Sequence, residues 1–314
     1  GSRMNTFDLQ IQSAASDGKH APAEIVGMAR ELGISVIALT DHDTVAGVDE
    51  AMSAGSEQGV RVIPGIEMSV EEWGAHILGY GIDHKNPVLV DELEKSAQAR
   101  MDGAKKIAEN LRAAGFAIEW TDVLAQATGA VVARPHLARA VLARAENKEK
   151  LGGIATAHDF IEKYLTDKSP CYVPRAHISS RDAIALIHGA GGVAVWSHPA
   201  LHFRDDPEGL ERFLQELITL GIDGVEVFNP SQTEDDAEFL QGLASKYRLL
   251  RTAGSDFHEK GDHPADERGL HSARTIGDYE TYGFSGEGIV EELDQAITRR
   301  KETFRTRTAH PEFL

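Results

Sequence analysis

Cysteine is nearly absent: Cys171 is the single one in 314 residues. That excludes an internal disulfide framework and fits a reducing cytoplasm. Its neighbours, Ser169-Pro170 and Tyr172-Val173-Pro174, offer no base, so it reads as a half-buried thiol and not as a nucleophile. Positive charge is also short, with 32 Lys and Arg against 50 Asp and Glu and a formal net charge of −18. This balance argues against a broad basic surface for duplex DNA. It still admits an anionic substrate where bound cations reverse the sign locally. No apolar run is long enough to span a bilayer, and no charged-then-apolar leader precedes the first strand. Gly1-Ser2-Arg3 ahead of Met4 reads as an expression scar, and no internal repeat or low-complexity tract is visible.

What the chain does have is fourteen histidines and a regular alternation of elements. Phe7, Leu9 and Ile11 alternate with Asp8, Gln10 and Gln12, a strand that carries its glutamines on one face. Helices are expected over 22–32, 45–58, 181–188, 207–220 and 234–247, with Pro22 at an early helical position and Gly33 as a stop. Apolar strands are expected over 35–40, 61–66, 75–80, 192–196, 224–228 and 249–253. From Pro87 to about Pro174 the pattern is helical throughout, over 88–114, 120–128, 135–146 and 156–164. The break predicts an α/β domain in two halves, residues 4–87 and 175–314, with a helical domain inserted at 88–174.

Strand after strand ends in a candidate ligand or polar anchor: Gln10 and Gln12, His42, Glu67, His198, Asn229, then Asp256 with His258. In α/β barrels the strand C-termini converge on one rim, where the active site lies. A ring of imidazole and carboxylate groups without thiolate suits zinc, manganese or iron. Each residue alone is weak: a lone strand histidine is more often hydrogen-bonded core, and Asp41-His42-Asp43 could be a polar turn with a helix cap. His76 is the least supported by spacing, because it sits inside its expected strand. Six polar strand ends together favour the metal reading. Gly189-Ala190-Gly191-Gly192 follows a helix and precedes a strand, the reverse of a phosphate loop, and reads as a tight turn. His20, His84, His158, His177, His188, His202, His263, His271 and His310 read mostly as solvated, and Glu234-Asp235-Asp236 as a favourable first helical turn.

Thr40-Asp41-His42-Asp43, Gly65-Ile66-Glu67, Ser197-His198-Pro199 and Gly254-Ser255-Asp256-Phe257-His258 resemble the PHP (polymerase and histidinol phosphatase) superfamily of metal-dependent phosphoesterases. Ser16-Asp17-Gly18, Arg134-Pro135-His136 and the position of the insertion resemble one branch, the nucleoside 3′,5′-bisphosphate phosphatases and related 5′-to-3′ exoribonucleases. The resemblance spans essentially the whole chain. It implies a distorted (β/α)7 barrel with a small inserted helical domain. It also implies up to three divalent ions (manganese, zinc or iron): one on Asp17, His42 and His258, a second on Glu67, His76 and His198, and a third shared by Glu67 and Asp256. The family completes the third site with two histidines of a His-x-His motif, where this chain has Gln10 and Gln12. A glutamine offers only a neutral carbonyl oxygen, a poorer donor than imidazole.

The implied chemistry is in-line attack on a phosphate ester by a metal-bridging hydroxide held by Glu67 and Asp256. The leading expectation is removal of the 3′-phosphate from a nucleoside 3′,5′-bisphosphate, which leaves a nucleoside 5′-monophosphate such as AMP and free phosphate. The alternatives are a 5′-to-3′ exoribonuclease on short single-stranded RNA, or a nucleotide binder weakened in catalysis by Gln10 and Gln12. For the second phosphate, Arg134 with His136 at a helix start, Arg175, and Asn229 at a strand end are the candidates.

Overall fold

The computed structural model describes residues 5–127 and 131–309. Met4, the expected helix end at Thr128, and His310 lie outside the described residues. The chain divides into two compact units, residues 1–91 with 178–314, and residues 92–177. No helix among the described residues is long and apolar enough to cross a membrane.

The first unit is built on a seven-stranded sheet in sequence order: β1 (Phe7–Ile11), β2 (Val36–Leu39), β3 (Arg61–Ser69), β4 (His76–Tyr80), β5 (Val193–Trp196), β6 (Gly224–Phe228) and β7 (Leu250–Ala253). β1, β2 and β3 run parallel, as do β5, β6 and β7, while β4 is antiparallel to both of its neighbours. The first and last strands meet beyond their ends, where Asp256 N–H donates to Gln10 O and Gln12 N–H to Phe257 O, both at 2.9 Å. These bonds nearly close a seven-stranded barrel. Gly254 permits the closure, because a Cβ there would lie 2.5 Å from Gln10 N and Gln10 Cβ.

Helices α1 (Pro22–Glu31) and α2 (Val48–Gln58) follow β1 and β2. Their apolar stripes, Ile25, Val26 and Ala29 with Ala51 and Ala54, pack with Ile11, Ile37 and Leu39 of the strands. Ile11 of β1 serves that layer, while Gln10 and Gln12, both without exposed surface, turn to Glu67 inside the barrel. A register shift between Asp8 and Ile11 interrupts the alternation, and the buried Asp8, paired with Ile37, accepts from Ser255 N–H and Gly277 N–H.

In the second half the helices are α8 (Ser180–Gly189), the short α9 (Pro199–His202), α10 (Pro207–Thr219), α11 (Glu234–Tyr247) and α12 (Ile289–Ala309). Ser179 caps α8 by accepting from Asp182 N–H at 3.1 Å, and Thr233 caps α11 by accepting from Asp236 N–H at 3.2 Å. Such caps contribute about 1 kcal/mol each. Helix α12 was not anticipated. It buries Ile289, Leu293 and Ile297, and its Arg300 donates to Asp223 Oδ1 at 2.8 Å.

The second unit is helical. It takes up most of α3 (Pro87–Ala113), then α4 (Trp120–Gln126), α5 (Arg134–Leu142), α6 (Lys148–Leu151) and α7 (Ala157–Tyr164). Leu111, Phe116, Val123, Leu137, Val141, Phe160 and Cys171 form its own core. Cys171 is 1% exposed, more buried than expected, and burial pushes its thiol up. Buried Asn147 ties the unit together, accepting from Ala117 N–H at 2.7 Å and donating to Ala117 O and Val141 O at 2.8 Å.

Candidate metal centre

Six strands deliver their C-terminal ends to one rim, and β4, running the other way, delivers its first residue, His76. Its direction is why a histidine at a strand start joins side chains from strand ends. Ser69 pairs with His76 and Glu67 with Leu78, so Glu67 and His76 share a face of the sheet, with the Met68–Ile77 pair between them.

Glu67 is the hub of the cluster. It is fully buried, and His76 Nδ1 lies 3.1 Å from Oε1, His198 Nε2 3.3 Å from Oε1, and His42 Nδ1 3.5 Å from Oε2. Ser197 Oγ donates to Oε1 at 2.9 Å. Burial by itself would raise the Glu67 carboxyl, but the charges of His42 and His76 and the hydrogen bonds from His198 and His76 hold it well below the usual range.

Asp17, His42 and His258 form the adjoining group, with one ligand atom from each lying within 4.8 Å of the others. His258 Nε2 is 3.3 Å from Asp17 Oδ1, and His42 Nε2 is 3.8 Å from Asp17 Oδ2. The His258 ring is oriented by its Nδ1–H, which donates to Asp256 O at 2.7 Å and so turns Nε2 toward Asp17. Burial opposes charge on His258, yet the hydrogen bond to Asp17 and the Asp256 carboxylate push it up to about 10. His42 is likewise raised: desolvation is outweighed by Glu67, Asp17 and Asp256. Asp256 is raised by burial and by the negative charge of Glu67. His42 therefore stands between the two groups, near Asp17 on one side and Glu67 on the other.

Two aspartates flanking His42 set the loop. Asp41 accepts from Ser13 N–H at 2.6 Å, Ser13 Oγ at 2.7 Å and Ser16 Oγ at 2.6 Å. Asp43, at φ 53°, accepts from Ser69 N–H and Ser69 Oγ at 3.0 Å each. The Asp-His-Asp run is thus a clamp on either side with the histidine in the cluster between. Gly18 lets the Asp17 turn pass the end of β1, since a Cβ there would sit 2.2 Å from Gln12 O.

Gln10 and Gln12 point their amide nitrogens at the carboxylates. Gln10 Nε2 donates to Glu67 Oε1 (3.0 Å), Ser197 Oγ (3.1 Å) and Asp256 Oδ1 (3.2 Å), and Gln12 Nε2 donates to Glu67 Oε2 at 2.6 Å. Asn229 donates to Gln10 Oε1 at 3.1 Å and to Glu226 Oε2 at 3.0 Å, so both its amide hydrogens are engaged within the protein. In the helical unit, Arg134 donates to Val173 O at 3.1 Å and lies over the Tyr172 ring. Its guanidinium is lowered by burial and by Arg175 beside it. His136 Nδ1 accepts from Ala133 N–H at 2.9 Å.

Two residues of the cluster were not anticipated. Glu226, on β6, is fully buried and accepts from His198 N–H at 2.9 Å. Burial, then Asp256 and Glu67, push its carboxyl well above the usual range. His202, expected to be solvated, has its ring 5.7 Å from that of His76 and 5.3 Å from that of His198. Burial and the two neighbouring imidazoles lower it to about 3. The apolar run around Glu226 and the end position of His202 on a helix gave no signal of either role.

These donors fit divalent cations. Three carboxylates and four imidazoles converge without thiolate, and the carboxylates that raise His42 and His258 supply the negative charge that a cation would neutralise. His198 Nδ1 and His202 Nε2 are buried with no hydrogen-bond partner, so this corner lacks partners from the chain itself. The family model described as the PHP domain matches residues 8–226.

The chain belongs to the PHP family.

Among PHP relatives, a Chromobacterium violaceum protein named 3′,5′-nucleoside bisphosphate phosphatase is 32% identical over 82% of this chain and 89% of its own length. A Haemophilus influenzae protein named 5′-3′ exoribonuclease is 33% identical over 80% of this chain and 89% of its own. A solved Chromobacterium violaceum structure, described as an amidohydrolase with bound sulfate and no metal, superposes with a TM-score of 0.73 at 29% identity. That match covers 93% of this chain and 97% of the other.

Proposed function

We propose that this PHP protein is a metal-dependent phosphoesterase that removes the 3′-phosphate of nucleoside 3′,5′-bisphosphates. The carrying observation is the buried Glu67 carboxylate with His42, His76 and His198 around it, beside the Asp17, His42 and His258 group. Asp17, His42 and His258 would hold one divalent ion and Glu67, His76 and His198 another, with manganese, zinc and iron all suited to the donors. When bound, such ions supply a water of lowered pKa and positive charge beside the phosphate. The chain's residues orient and balance that centre. Ser197 fixes Glu67, the Asp256 carbonyl fixes the His258 ring, and the amide hydrogens of Gln10 and Gln12 take the place beside Glu67 and Asp256 that a further cation would need. In the net reaction the phosphorus bond to the 3′-oxygen breaks, water provides the new oxygen, and the leaving oxygen gains a proton.

The sulfate reported for the Chromobacterium neighbour, a tetrahedral dianion, supports a phosphate-shaped ligand. The second phosphate is assigned to Arg134, with Arg175 beside it, and to His136, an assignment supported by the cationic fork of Arg134 in the helical domain proposed as an insertion at 88–174. The single, buried Cys171 supports a reducing cytoplasm as the working compartment. A 5′-to-3′ exoribonuclease activity on short RNA is the second reading, supported by comparable identity to the Haemophilus protein.

Manganese-supplemented protein incubated with adenosine 3′,5′-bisphosphate tests the proposal. Release of phosphate with formation of AMP supports it, and stepwise release of 5′-mononucleotides from short RNA supports the second reading. Nucleotide bound without any release, by this chain and by Gln10→His with Gln12→His alike, overturns both.

A further inference from the structure

Trp73 is 67% exposed, in a short 3-10 turn (Glu72–Gly74) between β3 and β4. An indole has a large apolar area to bury, and leaving it in water forgoes that gain. Its backbone is also held at φ 58°, ψ 11°, the left-handed region that bulky residues rarely adopt. The turn is kept in this conformation by firm ties. Glu71 N–H donates to Ile178 O at 2.9 Å, and Glu72 Oε2 accepts from Ser180 N–H at 2.8 Å and Ser180 Oγ at 2.7 Å.

The indole is braced on one side by Phe203, with ring centroids 5.5 Å apart. Phe203 is in turn wedged between Trp196 and Phe213, each 5.8 Å away. Phe203 follows His202, whose ring touches those of His76 and His198. Trp73 itself precedes His76 by three positions. The exposed ring therefore stands at the edge of the candidate metal centre, backed by a rigid aromatic stack, with its remaining surface open.

We propose that Trp73 is the stacking platform for the nucleobase of the substrate, an inference that rests on the nucleotide reading of the site. A flat ring with two side-chain torsions, already ordered by Phe203, gives up little freedom when a base lies on it. Stacking of this kind is tolerant of base identity, because every base has a π-face. The platform suits a single unpaired base, and a paired base within a duplex has no free face to offer it.

The test compares kcat/KM for adenosine 3′,5′-bisphosphate with that for the base-less 1-deoxyribose 3,5-bisphosphate, in the manganese-loaded protein, Trp73→Ala and Trp73→Phe. The expected outcome is a preference for the nucleotide that falls by about 5- to 100-fold in Trp73→Ala, mostly through KM, and largely survives in Trp73→Phe. AMP should also quench tryptophan fluorescence in the unaltered protein and not in Trp73→Phe. An unaltered preference in Trp73→Ala overturns the platform while leaving the phosphatase reading standing. Quenching by AMP without phosphate release from any nucleotide leaves the platform standing and overturns the phosphatase reading. Absence of both quenching and preference, or loss of self-association in Trp73→Ala pointing to a second copy as the occupant, overturns the platform.

Discussion

His76 Nδ1 lies 3.1 Å from Glu67 Oε1 across the antiparallel β3–β4 pair. The two side chains share one face of this hairpin, one of the two antiparallel pairs in the sheet among the described residues. The connection from Ser69 to His76 passes through the Trp73 turn, so the same short segment orders a candidate ligand and an exposed aromatic ring.

Glu67→Gln keeps the shape of the hub and removes its charge. It should lower manganese or zinc affinity by more than roughly 100-fold, beyond the range seen for an outer partner of a ligand, with phosphate release lost in parallel. Calorimetric titration of metal into the metal-free protein measures this. Equal affinity and equal ion count in the variant would remove Glu67 from the centre.

Gln10 and Gln12 satisfy Glu67 and Asp256 with amide hydrogens. Changing both to histidine replaces donors by imidazole nitrogens that can ligate. The double variant should carry about one more divalent ion per chain, since imidazole suits manganese, zinc and iron where a carboxamide does not. Elemental analysis after dialysis reads the count, and an unchanged count would contradict the assignment.

Asp41 touches no candidate ligand atom directly, yet it gathers Ser13 and Ser16 beside the turn that carries Asp17 and precedes His42. Asp41→Ala frees both segments. The expected loss is roughly 10- to 100-fold in metal affinity, as for other supporting partners, with a destabilisation of about 2–3 kcal/mol from stranding buried serine donors. Urea unfolding and metal titration separate the two effects, and full metal affinity in Asp41→Ala would refute the clamp.

Asp8 sets a pH dependence. It is fully buried, and burial pushes its carboxyl up to about 6 from 3.8, against hydrogen bonds from Ser255, Gly277 and Gln10. The folded state therefore binds this proton more tightly than the unfolded chain does. The stability Asp8 contributes is full below pH 3.8 and is lost as pH rises through about 6. The gap corresponds to about 3 kcal/mol. In urea unfolding of the metal-free protein, the margin of the unaltered chain over Asp8→Asn should narrow by about that amount between pH 4 and pH 7. A margin that is flat or widens would contradict this origin.

The strand ends were legible because apolar β-branched runs stop abruptly at polar residues, as at Leu39 before Asp41-His42 and at Trp196 before Ser197-His198. The helices between Pro87 and Tyr164 were legible because their 3.6-residue pattern runs on with no strand between. Other residues were not. His76 looked misplaced for a ligand until the reversed direction of β4 became known, and strand direction is not written in a strand's own residues. His202 looked solvated because a helix end gives no sign of which rings will meet it. Glu226 was hidden within the apolar run Gly224–Phe228, where only burial on both faces reveals an inward carboxyl.

The sequence alone determined the α/β class, the run of helices after Pro87, the PHP likeness and the identity of the groups able to bind cations, since each rests on residue type and local period. Tertiary structure decided which of those groups meet: that Glu67 is the hub, that His42 lies between two groups, that the glutamine amides turn their hydrogens to Glu67 and Asp256, and that Trp73 stays in the open. The physical reason is distance. Hydrogen bonds and ion pairs act over about 3–4 Å, and only closure of the barrel brings residues separated by tens to hundreds of positions within that reach.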